Sequence, residues 1–430
     1  MKRKVEEFLN RHNLNADEIS MDALCDLFLN EMRSGLAGKP SSLAMIPSFC
    51  SPDAVPKEGE QVIVIDAGGT NFRTCLVTFD HNLNPIISDF KRCRMPGIER
   101  EVSAKEFFSI IADEMERLVD KSDKIGFCFS YAATILPDHD GIPECFSKEI
   151  KASEVLGKHL GKELLKELAS RGHDVSKKKV MILNDTVATL LAGQAKNAHG
   201  SYDGCIGFIL GTGTNTAYIE KASNITKMDP SIPREGSQII NVDSGCLDIC
   251  LGDIDRKFLN TTKEPDLYCF EKMISGVYLG PLAYLVIAQA VEEGLFSDSF
   301  RTKFAELKGL NTIEMNDFFM EEGGDVLGSI ASDEEDNDTL SEILGSFIAR
   351  AAKLTAANLA SAVLITDFGK DEDHPVLINA DGSTFHLTAF LKSYTTEYLD
   401  AFLSEKGRRA VITQIENSPT IGSAIGALTL

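Results

Sequence analysis

Residues 66–73 read Asp66-Ala67-Gly68-Gly69-Thr70-Asn71-Phe72-Arg73, which groups an acid, two glycines, two polar side chains and a base. Glycines carry no Cβ, so backbone N–H groups at such a turn can come close to phosphate oxygens. An acid at a strand end can hold a magnesium ion, directly or through water, and Asp66 has that position. Arg73 adds positive charge to the same place. Read alone, Gly-Gly is also a sufficient explanation for a tight hairpin turn. The G-x-x-x-x-G-K-[ST] spacing of a P-loop, with its lysine, is absent. A second run, Gly211-Thr212-Gly213-Thr214-Asn215, offers two flexible backbone positions and two hydroxyls, again with a plain turn as the simpler reading. A third, Asp381-Gly382-Ser383, follows the apolar VLINA and precedes a helical pattern. That junction aims free N–H groups and the positive end of a helix at an anion, unless Asp381 or Ser383 merely caps the helix. The fourth is Asn184-Asp185-Thr186, where a carboxylate can accept the proton of an attacking hydroxyl, unless Asp185 or Thr186 merely caps the following helix. Ser147-Lys148 lies in the polar region from Ser130 to Lys148, by itself only a loop.

These groups need elements to hold them. VIVIDAGGTNFRTCLVTFD, residues 62–80, is an apolar strand, a polar Gly-Gly turn and a second strand. GCIGFILGTGTNTAYIE, residues 204–220, repeats that design. Two such hairpins suggest two related lobes able to clamp one polyphosphate between them. Helical spacing of Val5, Phe8 and Leu9, then Leu24, Leu27 and Phe28, predicts amphipathic helix over the first 30 residues. Residues 46–60, rich in Pro, Ser and Gly, read as a linker. A helix is expected over 103–120, then the strand KIGFCFS, then strand and helix over 180–196. Long helices are expected near 266–294 and 340–365. The acidic run SDEEDNDT, 332–339, reads as a solvated loop, since no EF-hand spacing follows it. VLINADGSTFHLTAFLKSYT, 376–395, reads as strand then helix, and the apolar IGSAIGALTL ends the chain as a helix.

Composition narrows the function. The chain has 430 residues, 43% hydrophobic and 25% charged, room for two or three domains of ordinary soluble balance. A net charge of −22 argues against nucleic acid, which is bound by a basic face. The N-terminal MKRKVEEFLNRHNL lacks the apolar centre of a signal peptide, and no apolar run approaches the roughly 20 residues of a bilayer span. A membrane partner is therefore not expected. Ten cysteines are scattered singly, without C-x-x-C or zinc spacing; only Cys246 and Cys250 stand one helical turn apart. Free thiols of this kind suit the cytoplasm. Nothing in the pattern sets an oligomeric state.

Taken in order, these segments resemble the hexokinase family, in the ATP-clamping fold shared with actin and Hsp70-type ATPases. The resemblance runs from Met45-Ile46-Pro47-Ser48-Phe49 to the C-terminal helix. DAGGTNFR is similar to the family's first phosphate motif, GTGTN to its second and NADGS to its adenosine motif. NDTVATLLAG is similar to the connecting segment with the catalytic aspartate. FSYAATILPDHDGIPECFSKEIKA resembles the sugar-binding segment. INVDSG and FEKMISGVYLG resemble the segments that supply two sugar-contacting acids.

The resemblance implies a two-lobed α/β fold of the actin-like, ribonuclease H-like kind around a deep cleft. The small lobe would be 60–186, joined by the C-terminal helix 418–430; the large lobe would be 1–59 and 187–417. It implies a phosphotransferase using ATP and Mg²⁺ on the 6-hydroxyl of a hexose, glucose or a close relative. Asp185 would be the general base and Lys148 a second catalytic group. Ser130, Ser147, Lys148, Asn184, Asn215, Asp243 and Glu271 would hold the sugar. Asp66, Gly68, Gly69, Thr70, Asn71, Arg73, Gly211, Thr212 and Gly213 would face the phosphates, with Asp66 holding magnesium through water. Gly382 and Ser383 would lie by the adenosine. Three sugar-side positions depart from the family pattern: Ala132 replaces a proline, Phe146-Ser147-Lys148-Glu149 replaces Trp-Thr-Lys-Gly, and Asp243-Ser244 replaces glutamate and an aromatic. A sugar sensor that keeps the fold but barely turns over is the competing reading; presence of the base and of Lys148 weighs against it.

Overall fold

The computed structural model describes residues 2–69, 71–146, 150–197, 200–320 and 325–430. Two mixed sheets dominate. The first has the order β4 (Pro85–Arg94), β3 (Asn71–Phe79), β2 (Gln61–Ala67), β5 (Lys124–Phe129) and β8 (Lys179–Leu183). The second has the order β1 (Ile46–Pro47), β11 (Ser237–Asn241), β10 (Thr214–Lys221), β9 (Gly204–Leu210), β12 (Val376–Asp381) and β13 (Ala410–Thr413). A small ribbon pairs β6 (Ala133–Ile135) with β7 (Gly141–Pro143).

Setting β1 aside, the two sheets are built alike. In each, the first three strands form an antiparallel meander and the last two add in parallel beside the first. The repeated hairpins of the sequence thus belong to a repeated five-strand topology. Each glycine turn joins the first two strands of its own sheet.

Two helices tie the sheets together. Asp185–Lys196 lies so close to β9 that a Cβ on Gly207 would fall 2.3 Å from the carbonyl oxygen of Thr186. Ser418–Leu428 lies equally close to β5, where a Cβ on Gly126 would fall 2.2 Å from the carbonyl oxygen of Ser423. The helices touch each other at Gly422 against Ala188. Around them Val62, Val64, Met181 and Leu183 of the first sheet and Cys205, Ala217 and Leu377 of the second share one core with Leu190, Leu191, Ile421 and Ile425. Burial of each large apolar side chain there stabilises the junction by roughly 1.5–3 kcal/mol.

Glu334–Thr366 packs under the second sheet and is buried along most of its length. It is long and apolar enough by composition to cross a membrane, but 83% of that apolar window is buried inside the protein, as in a core helix. Its Arg350 forms a two-pronged ion pair with Asp255 at 2.9 and 2.8 Å. Both side chains are 1% exposed, so each charge depends on the other.

Several local expectations change. The first 30 residues form two helices, Lys2–Arg11 and Met21–Leu36, because Asn15 and Ser20 each cap a new start. Within 46–60, Ile46–Pro47 is not linker but strand, paired with β11. The stretch 266–294 is split into Glu271–Ile274 and Leu279–Glu292. Nor is 332–339 a loop: Asp333 caps the long helix, and buried Asp336 accepts the Ser297 N–H at 2.9 Å and its hydroxyl at 2.6 Å. The helix after Gly382 ends at Leu387 and a second begins at Leu391, since Asn316 binds the Leu387 carbonyl and the Ala389 N–H between them.

Candidate active site

Asp185 opens its helix where the chain leaves the first sheet through β8. The N-cap is Asn184, whose side-chain oxygen accepts the Thr186 N–H at 2.9 Å. The Thr186 hydroxyl donates to Asp185 Oδ1 at 3.3 Å, and the Thr189 hydroxyl to the Asp185 carbonyl at 2.9 Å. Burial pushes the Asp185 carboxyl above its usual range; a hydrogen bond from Ser130 opposes this, and the charge of Asp66 adds to it. A more basic carboxylate is better suited to take a hydroxyl proton. Ser130 itself follows β5 and is fixed by its N–H on the Ala67 carbonyl, 3.1 Å.

The first glycine turn is closed by the Gly68 N–H on the Asn71 carbonyl at 3.0 Å. The Tyr131 hydroxyl donates to the carbonyls of Gly68 and Gly69 at 2.7 and 3.0 Å. Asp66 stands opposite Arg73 in the β2–β3 register and pairs with it at 2.7 Å. Burial raises the Asp66 carboxyl, while Arg73 pulls it down. Arg73 is therefore the partner of Asp66 at the base of this turn.

The second turn is held from three sides. Gly211 donates its N–H to the Gly213 carbonyl at 2.9 Å. The Gly211 carbonyl accepts the Gly276 N–H and the Thr384 hydroxyl, both at 2.8 Å, and the Thr212 carbonyl accepts the Val277 N–H at 3.3 Å. Gly382 rests on this turn with φ +109°, and a Cβ there would lie 2.3 Å from the Leu210 carbonyl oxygen. Ser383 starts a helix only five residues long, Ser383–Leu387.

Beside Asn184 the second sheet contributes Asn215, whose Nδ2 donates to Asn184 Oδ1 at 3.4 Å and Asn241 Oδ1 at 2.6 Å. Its Oδ1 accepts the N–H groups of Thr216, Asp243 and Ser244 at 2.7, 3.0 and 3.3 Å. Asn215 thus holds the turn of Asp243, which has φ +60°. Burial raises the Asp243 carboxyl; the Cys246 thiol, donating to Oδ2 at 3.3 Å, moderates the effect, and Glu144 adds to it. Glu271 accepts the Thr214 N–H at 2.9 Å, and burial pushes its carboxyl up to about 7 against that hydrogen bond. Thr70, Ser147 and Lys148 lie outside the described residues.

Sequence reasoning missed Tyr268 and Glu144. Tyr268, with φ +56°, is half-buried near Cys246, Asp243, Cys145 and Glu271, and burial followed by those neighbours raises its phenol. Its only sequence signal is its position one helical turn before Glu271. Glu144 ends the ribbon and accepts the Thr134 hydroxyl.

Models described as Hexokinase match residues 205–429, just over half of the chain, and residues 4–195. The chain belongs to the hexokinase family. Among curated relatives, this family member is 27% identical to Hexokinase-2 of Solanum tuberosum over 435 residues, 94% of this chain and 86% of that protein. It is 28% identical to Hexokinase-7 of Oryza sativa subsp. japonica, covering 95% of this chain and 92% of that protein. Its fold is similar to a solved hexokinase from Schistosoma mansoni complexed with glucose, with a TM-score of 0.78 and 24% identity over 100% of this chain and 99% of the other. The two-lobed α/β expectation therefore holds at the level of fold, and the chain is an enzyme of the kinase class.

Proposed function

We propose that this hexokinase-family chain transfers the terminal phosphoryl group of Mg-ATP to the 6-hydroxyl of a hexose, glucose or a close relative, with Asp185 as general base. The observation that carries the reading is the position of Asp185. It follows β8, which lies beside β5 in the sheet of Asp66 and the first glycine turn, and its N-terminal neighbour Asn184 bonds Asn215 on the sugar side. A proton acceptor at that place serves both the sugar and the phosphate. The glucose bound by the Schistosoma mansoni relative supports a hexose as acceptor.

Asn184, Ser130, Asp243 and Glu271 would pair the sugar's hydroxyls, a pocket that rejects analogues by leaving buried groups unpaired. Asn215, engaged on all sides, would act by holding Asn184 and Asp243 in position. The attacking hydroxyl would pass its proton to Asp185 as the bond to phosphorus forms. N–H groups of the two glycine turns would face the phosphate oxygens. The residues fit a magnesium ion carried on the nucleotide. Among the described residues no group of three metal-ligating side chains exists, whereas Asp66 and Asp185 offer one or two carboxylates, which is what such an ion takes beside phosphate. When bound, it would neutralise charge on the phosphoryl oxygens. The two sheets would act as lobes, 60–186 with 418–430 and 1–59 with 187–417, closing on the sugar to exclude water.

The test is a coupled ADP-release assay with Mg-ATP against hexoses and hexosamines. Sugar-dependent ADP release is expected. Silence across the panel with sugar binding retained would overturn the catalytic reading in favour of a sensor.

A further inference from the structure

Three polar side chains are buried together beside the Asp243 turn: Thr216 on β10, Ser244 in the turn itself, and Asn358 on the long helix Glu334–Thr366, none of them more than 2% exposed. Buried polar groups are destabilising unless they are hydrogen-bonded, and these three bond one another. Asn358 Nδ2 donates to Thr216 Oγ1 at 2.7 Å, and the Thr216 and Ser244 hydroxyls are hydrogen-bonded to each other at 3.2 Å. The Thr216 backbone serves the same turn. Its carbonyl accepts the Val242 N–H at 2.9 Å, and its N–H donates to Asn215 Oδ1 at 2.7 Å. That oxygen is the one that also receives the Asp243 and Ser244 N–H groups.

The turn needs such support. Asp243 has φ +60°, a left-handed conformation that persists where its surroundings hold it. Ser244 offers little apolar surface of its own, so its hold on the core runs through its hydroxyl. Asn358 supplies the fixed end of the chain of bonds. Its helix is buried along most of its length and is anchored by the Arg350–Asp255 ion pair. In a buried network of this kind, removal of one member leaves the next unpaired, so the members act as a unit.

We infer that Asn358 is a positioning residue for the sugar pocket, holding through Thr216 and Ser244 the turn that aims the Asp243 carboxylate. Resting on the proposed function, a firmly held Asp243 tightens the sugar and leaves the nucleotide unaffected.

Hydrogen exchange of the intact chain, read at the Asp243 and Ser244 amides, tests the hold with no ligand present. Asn358→Ala should speed exchange there about tenfold. Ser361→Ala, which removes a buried hydroxyl bonded to the Ala357 carbonyl of the same helix, should not. Thr216→Val keeps the β-branched shape, removes both hydroxyl bonds and should match Asn358→Ala, which keeps the comparison available if that variant fails to fold. Calorimetry should then show glucose bound about tenfold more weakly by Asn358→Ala and by Ser244→Ala, no more weakly still by the double variant, and a non-hydrolysable ATP analogue bound as by the wild type. Unchanged exchange at the two amides overturns the inference. So does an unaltered glucose affinity in a less stable Asn358→Ala, the result of a merely structural asparagine, and so does a hundredfold loss in the double variant. A wild-type chain that binds no hexose defeats the proposed function instead, and the exchange comparison still decides whether Asn358 holds the turn.

Discussion

The two glycine turns join equivalent strands of equivalent sheets, yet they are built to opposite standards. At the second, a Cβ on Gly213 would lie 2.4 Å from Glu271 Oε2 and one on the adjoining Gly382 would meet the backbone of Leu210, while one on Gly211 would come no nearer than 3.6 Å to the Gly382 Cα. At the first, a Cβ on Gly69 would meet nothing within 4 Å, and one on Gly68 only the Asn71 carbonyl oxygen at 3.4 Å. The second turn is a wall of a packed platform. The first stands in the open, steadied by the Tyr131 hydroxyl and the Asn71–Arg92 contact. Packing thus demands glycine at Gly213 and Gly382, and does not demand it at Gly68 or Gly69. Similar motifs need not share a physical cause.

The largest effect should come from Gly382→Ala, which combines a φ of +109° with a Cβ against backbone. It is expected to cost about 2–5 kcal/mol in chemical denaturation. A stability within error of wild type would show the platform to be soft.

Glu271→Gln probes the same platform through pH. The Glu271 carboxyl is raised to about 7 in the fold, so the folded chain holds its proton where the unfolded chain has lost it. The glutamate's stability is therefore full below the ordinary carboxylate range and declines as pH rises through about 7. The glutamine variant should be more stable than wild type by about 2 kcal/mol near pH 8, with the gap closing below about pH 5, while its sugar KM rises. A gap independent of pH would show that the carboxyl is not raised.

Tyr131→Phe removes the hydroxyl from the first turn and should cost about 1 kcal/mol, with KM for ATP raised more than KM for the sugar. The smallest effect on stability belongs to Gly69→Ala, expected within about 1 kcal/mol of wild type while KM for ATP rises. If Gly69→Ala instead unfolded the chain as Gly382→Ala does, the contrast between the turns would fail.

Both hairpins were legible because Gly-Gly and Gly-Thr-Gly interrupt strands whose apolar pattern is continuous on either side. Asn184-Asp185 was legible as a strand-to-helix junction; that Asn184 makes the cap is a matter of side-chain rotation, which spacing does not encode. Tertiary partners account for the rest. Asp336 is buried because Ser297 reaches it from another helix, and the break before Leu391 depends on Asn316. Tyr268 lies by Asp243 and Cys246 only because the chain folds back, with the Phe270 N–H on the Leu247 carbonyl at 3.2 Å. The engagement of Asn215 with five partners was likewise hidden, since most of them are residues 241–244 on a neighbouring strand and its turn.

The central claim is that Asp185 is the base between the two turns, and Asp185→Ala tests it most directly through kcat alongside calorimetric sugar affinity. The account predicts a loss of about a hundred- to ten-thousand-fold in kcat with sugar affinity largely retained. Turnover near the wild-type rate would contradict it.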